Sequence, residues 1–239
     1  MKICIAGSSS YPQLKEEWEE CKFMLESYYY FKDWQKPYIN KELFLLDSGA
    51  FTFMNGKTNI NWKEYVEQYA NFIRNNKIKY FFELDIDSII GYEKVKQLRK
   101  QLEKKTNKKC IPVWHKSRGI EEWKKLTREY DYVAIGGIVT KEIKQSEYKY
   151  IPTLLKIAKE NNCRVHGLGF TKTRLLDKNR FYSVDSTTWN RGRFGDLYYF
   201  KDGQMKIYNK KGQKLKNGLE SNRFCLQQWI KYQKYMEEK

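Results

Sequence analysis

The sequence predicts an α/β fold built on parallel strands. Three observations carry that expectation: short apolar runs recur along the chain, amphipathic segments separate them, and polar residues collect where the runs end. The runs are Lys2–Ala6, Leu43–Asp47, Tyr80–Asp85, Cys110–Trp114, Tyr132–Gly136, Arg164–Leu168 and Phe181–Asp185. Each is rich in β-branched, aromatic or Leu side chains, as strands buried on both faces require. Helical patterns lie between them at Tyr11–Tyr30, Trp62–Asn75, Tyr92–Lys105, Ile120–Tyr130, Tyr148–Asn161 and Lys172–Asp177. In Trp62–Asn75 the residues Trp62, Tyr65, Tyr69, Phe72 and Ile73 recur at helical spacing, so one face can lie against a sheet. Strands alternating with helices imply a parallel sheet, which a barrel and an open doubly wound sheet satisfy equally. No GxGxxG follows the first run, which argues against a dinucleotide site.

Past Gly195 the pattern changes. Two strand-like runs flank Asp202-Gly203, a hairpin signal near 196–208, and Leu219–Met236 reads as a closing helix with Cys225, Trp229, Tyr232 and Met236 on its apolar face. With no linker, low-complexity tract or internal repeat, residues 1–239 are expected to form one domain.

Composition sets broad limits. The 239 residues are 41% hydrophobic, enough to fill a core, and no stretch approaches the roughly 18 apolar residues of a membrane span. The apolar run at the N-terminus is too short for a secretory signal. Five scattered cysteines without a CxxC pair give neither a zinc site nor a disulfide framework, so reduced thiols and a cytoplasmic location are expected (host cytoplasm if phage-encoded). The net charge of +17 favours a polyanionic partner, since each Lys or Arg near a phosphate releases counterions. The same excess also fits a compositionally biased genome, so the charge identifies no site.

The residues at the ends of the runs are more telling. Asp47, Asp85, His115, Gly136-Gly137, His166 and Asp185 fall at or near the C-terminal ends of expected strands, where parallel α/β folds assemble their ligand sites. One such Asp is explained by capping the next helix. Three on separate strands, with Gly and His beside them, point to a site. In Asp47-Ser48-Gly49-Ala50-Phe51 the small residues let backbone approach a ligand, and Phe51 offers a face for a planar base, or else a core side chain. In the segment from Asp185 to Arg193, Arg191 and Arg193 can hold a phosphate while Asp185 acts on a neighbouring sugar, unless Asp185 is ion-paired to one of them.

The order LLDSGAF, ELDID, IPVWH, YVAIGGIV, VHGLGF and FYSVDSTTWNRGRFG resembles the tRNA-guanine transglycosylase superfamily. It is most similar to the short DNA-guanine transglycosylase (DpdA-type) branch of phages and bacterial DNA-modification clusters. The resemblance spans about Leu43 to Gly195 and implies a compact TIM-like (β/α)8 barrel. It implies that Asp185 is the nucleophile forming a covalent glycosyl-enzyme intermediate and that Asp47 is the general acid or base. By the same resemblance Ser48, Phe51, Asp85, His115, Gly136, Gly137, Ile138 and His166 surround the base, and Arg191 and Arg193 lie near the nucleic-acid backbone. His115 stands where the tRNA enzymes usually carry Gln. The zinc-binding subdomain pattern of those enzymes is missing, which favours DNA over tRNA as substrate. The implied reaction exchanges guanine for a 7-deazaguanine base such as preQ0 or a derivative, with no metal, other cofactor or membrane. The chemistry is coherent: a double displacement at one carbon needs a carboxylate nucleophile and a proton-transfer group. The alternatives using the same residues are a tRNA-directed enzyme, a base hydrolase and a catalytically silent nucleic-acid-binding relative.

Overall fold

A computed structural model describes residues 1–49, 52–53, 60–209 and 217–239. Its main sheet contains eight parallel strands: β1 (Lys2–Ala6), β2 (Phe23–Ser27), β3 (Leu43–Asp47), β4 (Tyr80–Phe81), β5 (Val113–Trp114), β6 (Tyr132–Ile135), β7 (Arg164–Gly167) and β8 (Ser183–Ser186). They lie in the order β4-β3-β2-β1-β8-β7-β6-β5. The two edges of that order also meet. Phe82, just past β4, bridges Ile111, just before β5, and Ile111 N–H donates to Phe81 O (2.8 Å) while Glu83 N–H donates to Ile111 O (3.0 Å). Of the two arrangements open to the sequence, the chain therefore adopts the TIM-like (β/α)8 barrel.

Strand alternation divides the core in two. Cys4, Ala6, Leu25, Leu45, Val113 and Ala134 belong to one buried cluster, inside the ring. Their neighbours Ile3, Ile5, Met24, Leu46 and Ile135 belong to a second, larger one, which includes side chains of the surrounding helices. Those helices are α1 (Lys15–Glu20), α2 (Trp62–Asn75), α3 (Asp87–Ile90), α4 (Tyr92–Thr106), α5 (Gly119–Glu129), α6 (Ile151–Glu160), α7 (Thr173–Leu176) and α8 (Gly218–Glu238). Helix α2 has the bounds its periodicity predicts, and Asn61 caps it by accepting from Glu64 N–H (3.3 Å).

The expected helix Tyr11–Tyr30 is the main correction. Its first half holds 3₁₀ turns and the short α1, and its second half is β2, the strand the sequence reading did not find. Phe23 and Leu25 pack inside the ring and Met24 outside it, so this run is apolar on both faces and carries no periodicity that separates strand from helix. The hairpin falls where its Asp-Gly signal predicts. Its strands β9 (Asp196–Lys201) and β10 (Gln204–Asn209) form a separate antiparallel sheet, so it is not the barrel's eighth strand.

Helix α8 covers the outer face of β1 and β2, where α1 is too short to do so. Its buried Gln233 donates through Nε2 to Ile3 O (2.7 Å) and Phe23 O (2.9 Å) and accepts from Lys22 N–H (2.8 Å), so its amide is fully used. At the N-terminal mouth, the Arg164 guanidinium lies 4.8–5.4 Å from the ring centroids of Tyr80, Tyr132 and Tyr182. At the β4–β5 seam, buried Glu83 accepts from Arg99 Nε (2.6 Å), Arg118 Nη1 (2.9 Å) and Val113 N–H (2.8 Å).

Candidate functional site

A cavity of about 500 Å³ opens at the C-terminal mouth. Asp47, Asp85, His115, Gly136, Gly137 and Asp185 all line it, so residues from five strand ends converge as the sequence predicts.

The two carboxylates singled out as catalytic are treated differently. Asp185 belongs to β8, paired with Cys4 of β1. Its Oδ1 receives Gly169 N–H at 2.6 Å and faces His166 Nε2 at 3.1 Å. His166 is wholly buried beneath it and is held by Ser183 Oγ at Nδ1 (2.6 Å), and Ser183 Oγ in turn contacts Tyr132 Oη. This line of polar groups runs through the barrel interior and fixes Asp185 from below. The turn after β8 is anchored by Trp189, whose Nε1–H donates to Ala6 O (2.8 Å).

Asp47 closes β3 and receives Gly49 N–H at Oδ2 (2.9 Å). Burial pushes its carboxyl up to about 7, with the charges of Asp85 and Asp185 adding to the shift and the Gly49 bond opposing it. Asp47 is thus poised between its protonated and ionised forms near neutrality, while Asp185 is oriented by two partners.

The wall beyond Asp85 contains a pair of contacts on His115. Its Nε2 is 3.4 Å from Asp85 Oδ2 and its Nδ1 is 2.9 Å from Glu142 Oε2. Burial opposes a charge on the ring, but the bonds to Asp85 and Glu142 outweigh it and raise His115 to about 10. The His115 bond in turn lowers Glu142 to about 2. Gly136 N–H donates to Trp114 O (2.8 Å) and is therefore used within the sheet, while Gly137 follows it on the cavity lining.

Other expected residues fall elsewhere. Ser48 is buried, does not line the cavity, and leaves its Oγ without a partner among the described residues. The Ile138 side chain joins the outer core. His166 contacts Asp185 and not the cavity. Arg191 is paired with Asp196 (2.6 Å), not Asp185, and Arg193 donates to Tyr11 Oη (3.0 Å) on the exposed segment beyond Thr188. Phe51 lies outside the described residues. Sequence reasoning missed Glu142, Ser183 and Glu26. Glu26 sits on the unrecognised β2, lines the cavity, accepts from Ser8 N–H (3.1 Å), and is pushed by burial up to about 7. Glu142 and Ser183 carry no local signal, because their roles arise only from contacts across 27 and 17 residues of sequence.

Among the described residues no group of three or more His, Cys, Asp or Glu side chains could hold a metal ion, and no helix is long and apolar enough to cross a membrane. The five cysteines are free and buried. Fold and site together define a (β/α)8 barrel with an acidic cavity at its C-terminal mouth. Comparison with protein-family models and with curated proteins finds no match.

Proposed function

We propose that this protein is a DNA-guanine transglycosylase that exchanges guanine for a 7-deazaguanine base through a covalent glycosyl-aspartate intermediate. The observation that supports it most is the division between the two carboxylates: Asp185 is oriented by His166 and Gly169 N–H, while Asp47 is poised between its protonated and ionised forms near neutrality. A retaining displacement needs that pair of roles. Asp185 attacks C1′ of the target nucleoside, the C1′–O bond forms, and the C1′–N bond to guanine breaks. Asp47 gives its proton to the departing base. In the second half Asp47 takes a proton from the incoming base, which attacks C1′ and releases Asp185.

The base lies against the wall of Asp85, His115 and the Gly137 and Ile138 amides, whose N–H groups stabilise negative charge on the leaving base. A cavity recessed in the barrel mouth requires an extruded or single-stranded nucleotide. The net charge of +17 and the exposed Arg193 fit a polyanionic strand at the rim. DNA is favoured over tRNA by the resemblance to the short branch, and the cytoplasm (the host's, if phage-encoded) is the matching compartment.

The test is incubation with labelled DNA or tRNA and preQ0, followed by isolation of any protein–nucleic acid adduct. The expected result is incorporation into DNA and an adduct at Asp185. Incorporation into tRNA alone overturns the substrate, and release of guanine without incorporation makes the protein a hydrolase. Binding with neither outcome makes it a silent relative.

A further inference from the structure

Glu142 follows β6, lies behind the cavity wall and has no part in the reaction described above. Its geometry is nonetheless closely specified. Its Oε1 accepts from Ser117 N–H (2.8 Å) and its Oε2 faces His115 Nδ1 (2.9 Å). Two glycines make room for this pair. A Cβ on Gly136 would meet Val113 Cγ1 at 2.8 Å, His115 Cε1 at 2.9 Å and Nε2 at 3.0 Å, and a Cβ on Gly137 would meet Glu142 Oε2 at 2.9 Å. Gly137 also has φ of +77°, which disfavours any other residue. The Gly136-Gly137 step is therefore shaped around a His–Glu pair as well as around the cavity.

We propose that Glu142 is a positioning residue for base recognition: it fixes His115 as an imidazolium whose Nε2–H holds the Asp85 carboxylate at the cavity wall. This rests on the reading that Asp85 contacts the base.

A neutral imidazole has one N–H and one lone pair, so a ring facing carboxylate oxygens from both nitrogens sets a lone pair against an oxygen unless both nitrogens are protonated. The charged groups facing the ring are Asp85 after β4, Glu142 after β6, and Arg118 on the turn that follows His115. Arg118 opposes the imidazolium and is itself engaged by Glu83 and Asp87. Asp85 also acts on Asp47, as does Asp185, so Asp47 is repelled by two neighbouring carboxylates in a cavity that Glu26 lines as well. A cation bonded to Asp85 offsets that repulsion and keeps Asp85 available as an acceptor for N–H groups of a base edge. Glu142 supplies the second carboxylate that keeps the ring charged.

The chain has only two histidines, so a ¹⁵N titration reads His115 directly. In the wild-type protein His115 is expected to stay doubly protonated from pH 5 to about 8; a titration near its ordinary value of 6.5 overturns the inference. Glu142→Gln retains a hydrogen-bond partner for Nδ1 and removes the charge. Asp47 and Glu26 titrate near 7 in both proteins, so calorimetry with guanine is read as the ratio of the two Kd values. For Glu142→Gln the Kd is expected to weaken relative to wild type by about tenfold between pH 6 and 8, the equivalent of roughly 1.4 kcal/mol, with nucleic-acid affinity unchanged. Equal guanine affinity in both proteins across that range overturns the inference, as does a wild-type protein that does not bind guanine. If guanine binding follows the charge on His115 but no nucleic acid is modified, the exchange reaction fails and the positioning role stands.

Discussion

At the N-terminal mouth of the barrel Arg164 lies among Tyr80, Tyr132 and Tyr182, whereas at the C-terminal mouth Asp47, Asp85 and Asp185 share an open cavity. The same strands build both ends: Tyr132 and Gly136 sit at opposite ends of one run, as do Arg164 and Leu168. At the first end a cation is satisfied by aromatic faces, a Tyr80 hydroxyl and the carboxylate and carbonyl of Asp131. At the second, carboxylates are gathered against their own repulsion, a cost to folding retained where ligands enter. One mouth is closed by its own side chains, and the other holds the proposed site.

Four substitutions or titrations test that division. The largest effect is expected from Asp185→Asn, which removes the proposed nucleophile and lowers base exchange on the order of 10³-fold or more, with Tm and nucleic-acid affinity nearly unchanged. Single-turnover assays with labelled DNA check it, and undiminished turnover returns Asp185 to a structural role. Next comes the pH dependence of adduct formation. In the proposed reaction base departure requires the proton on Asp47, so the rate is expected to fall as pH rises through about 7. A rate flat from pH 6 to 8 removes Asp47 as the acid.

Smaller effects concern stability. The folded state favours protonated Asp47, because burial raises its carboxyl from 3.8 to about 7. Its penalty is therefore absent below about pH 4, grows as pH rises, and is complete above about 7. Asp47→Asn is expected to melt higher than wild type at pH 8 and no higher at pH 3.5, while losing exchange by about 10²-fold or more. At the other mouth Arg164→Met is expected to cost about 1–2 kcal/mol, read as a Tm lower by roughly 2–8 °C, with exchange per folded molecule unaffected. If Arg164→Met alters the reaction or Asp47→Asn destabilises at pH 8, the two ends are not divided as described.

The sequence revealed the residues of the open mouth better than the ring that carries them. Asp47, Asp85, His115 and Asp185 were legible because each ends a run of apolar residues, a local pattern that the parallel fold turns into a common rim. Strand β2 was not legible, because its side chains are buried on both faces and α1 precedes it without a Gly or Pro boundary. Glu142 and Ser183 were hidden for another reason: each matters only through a histidine on a different strand end. Arg191 shows the converse: it pairs with Asp196, a partner that neither the phosphate reading nor the alternative ion pair with Asp185 named.

The β4–β5 seam has one further consequence. A single bridge joins these strands, and Val113 N–H finds its acceptor in the Glu83 side chain, which also binds Arg99 and Arg118. The ring is thus completed by an ionic cluster at the place where backbone pairing is thinnest. Ionic hydration becomes less favourable on warming, so the penalty for keeping these charges out of water shrinks with temperature while apolar burial levels off. The seam beside Asp85 and His115 accordingly gains on the rest of the barrel as the protein is heated.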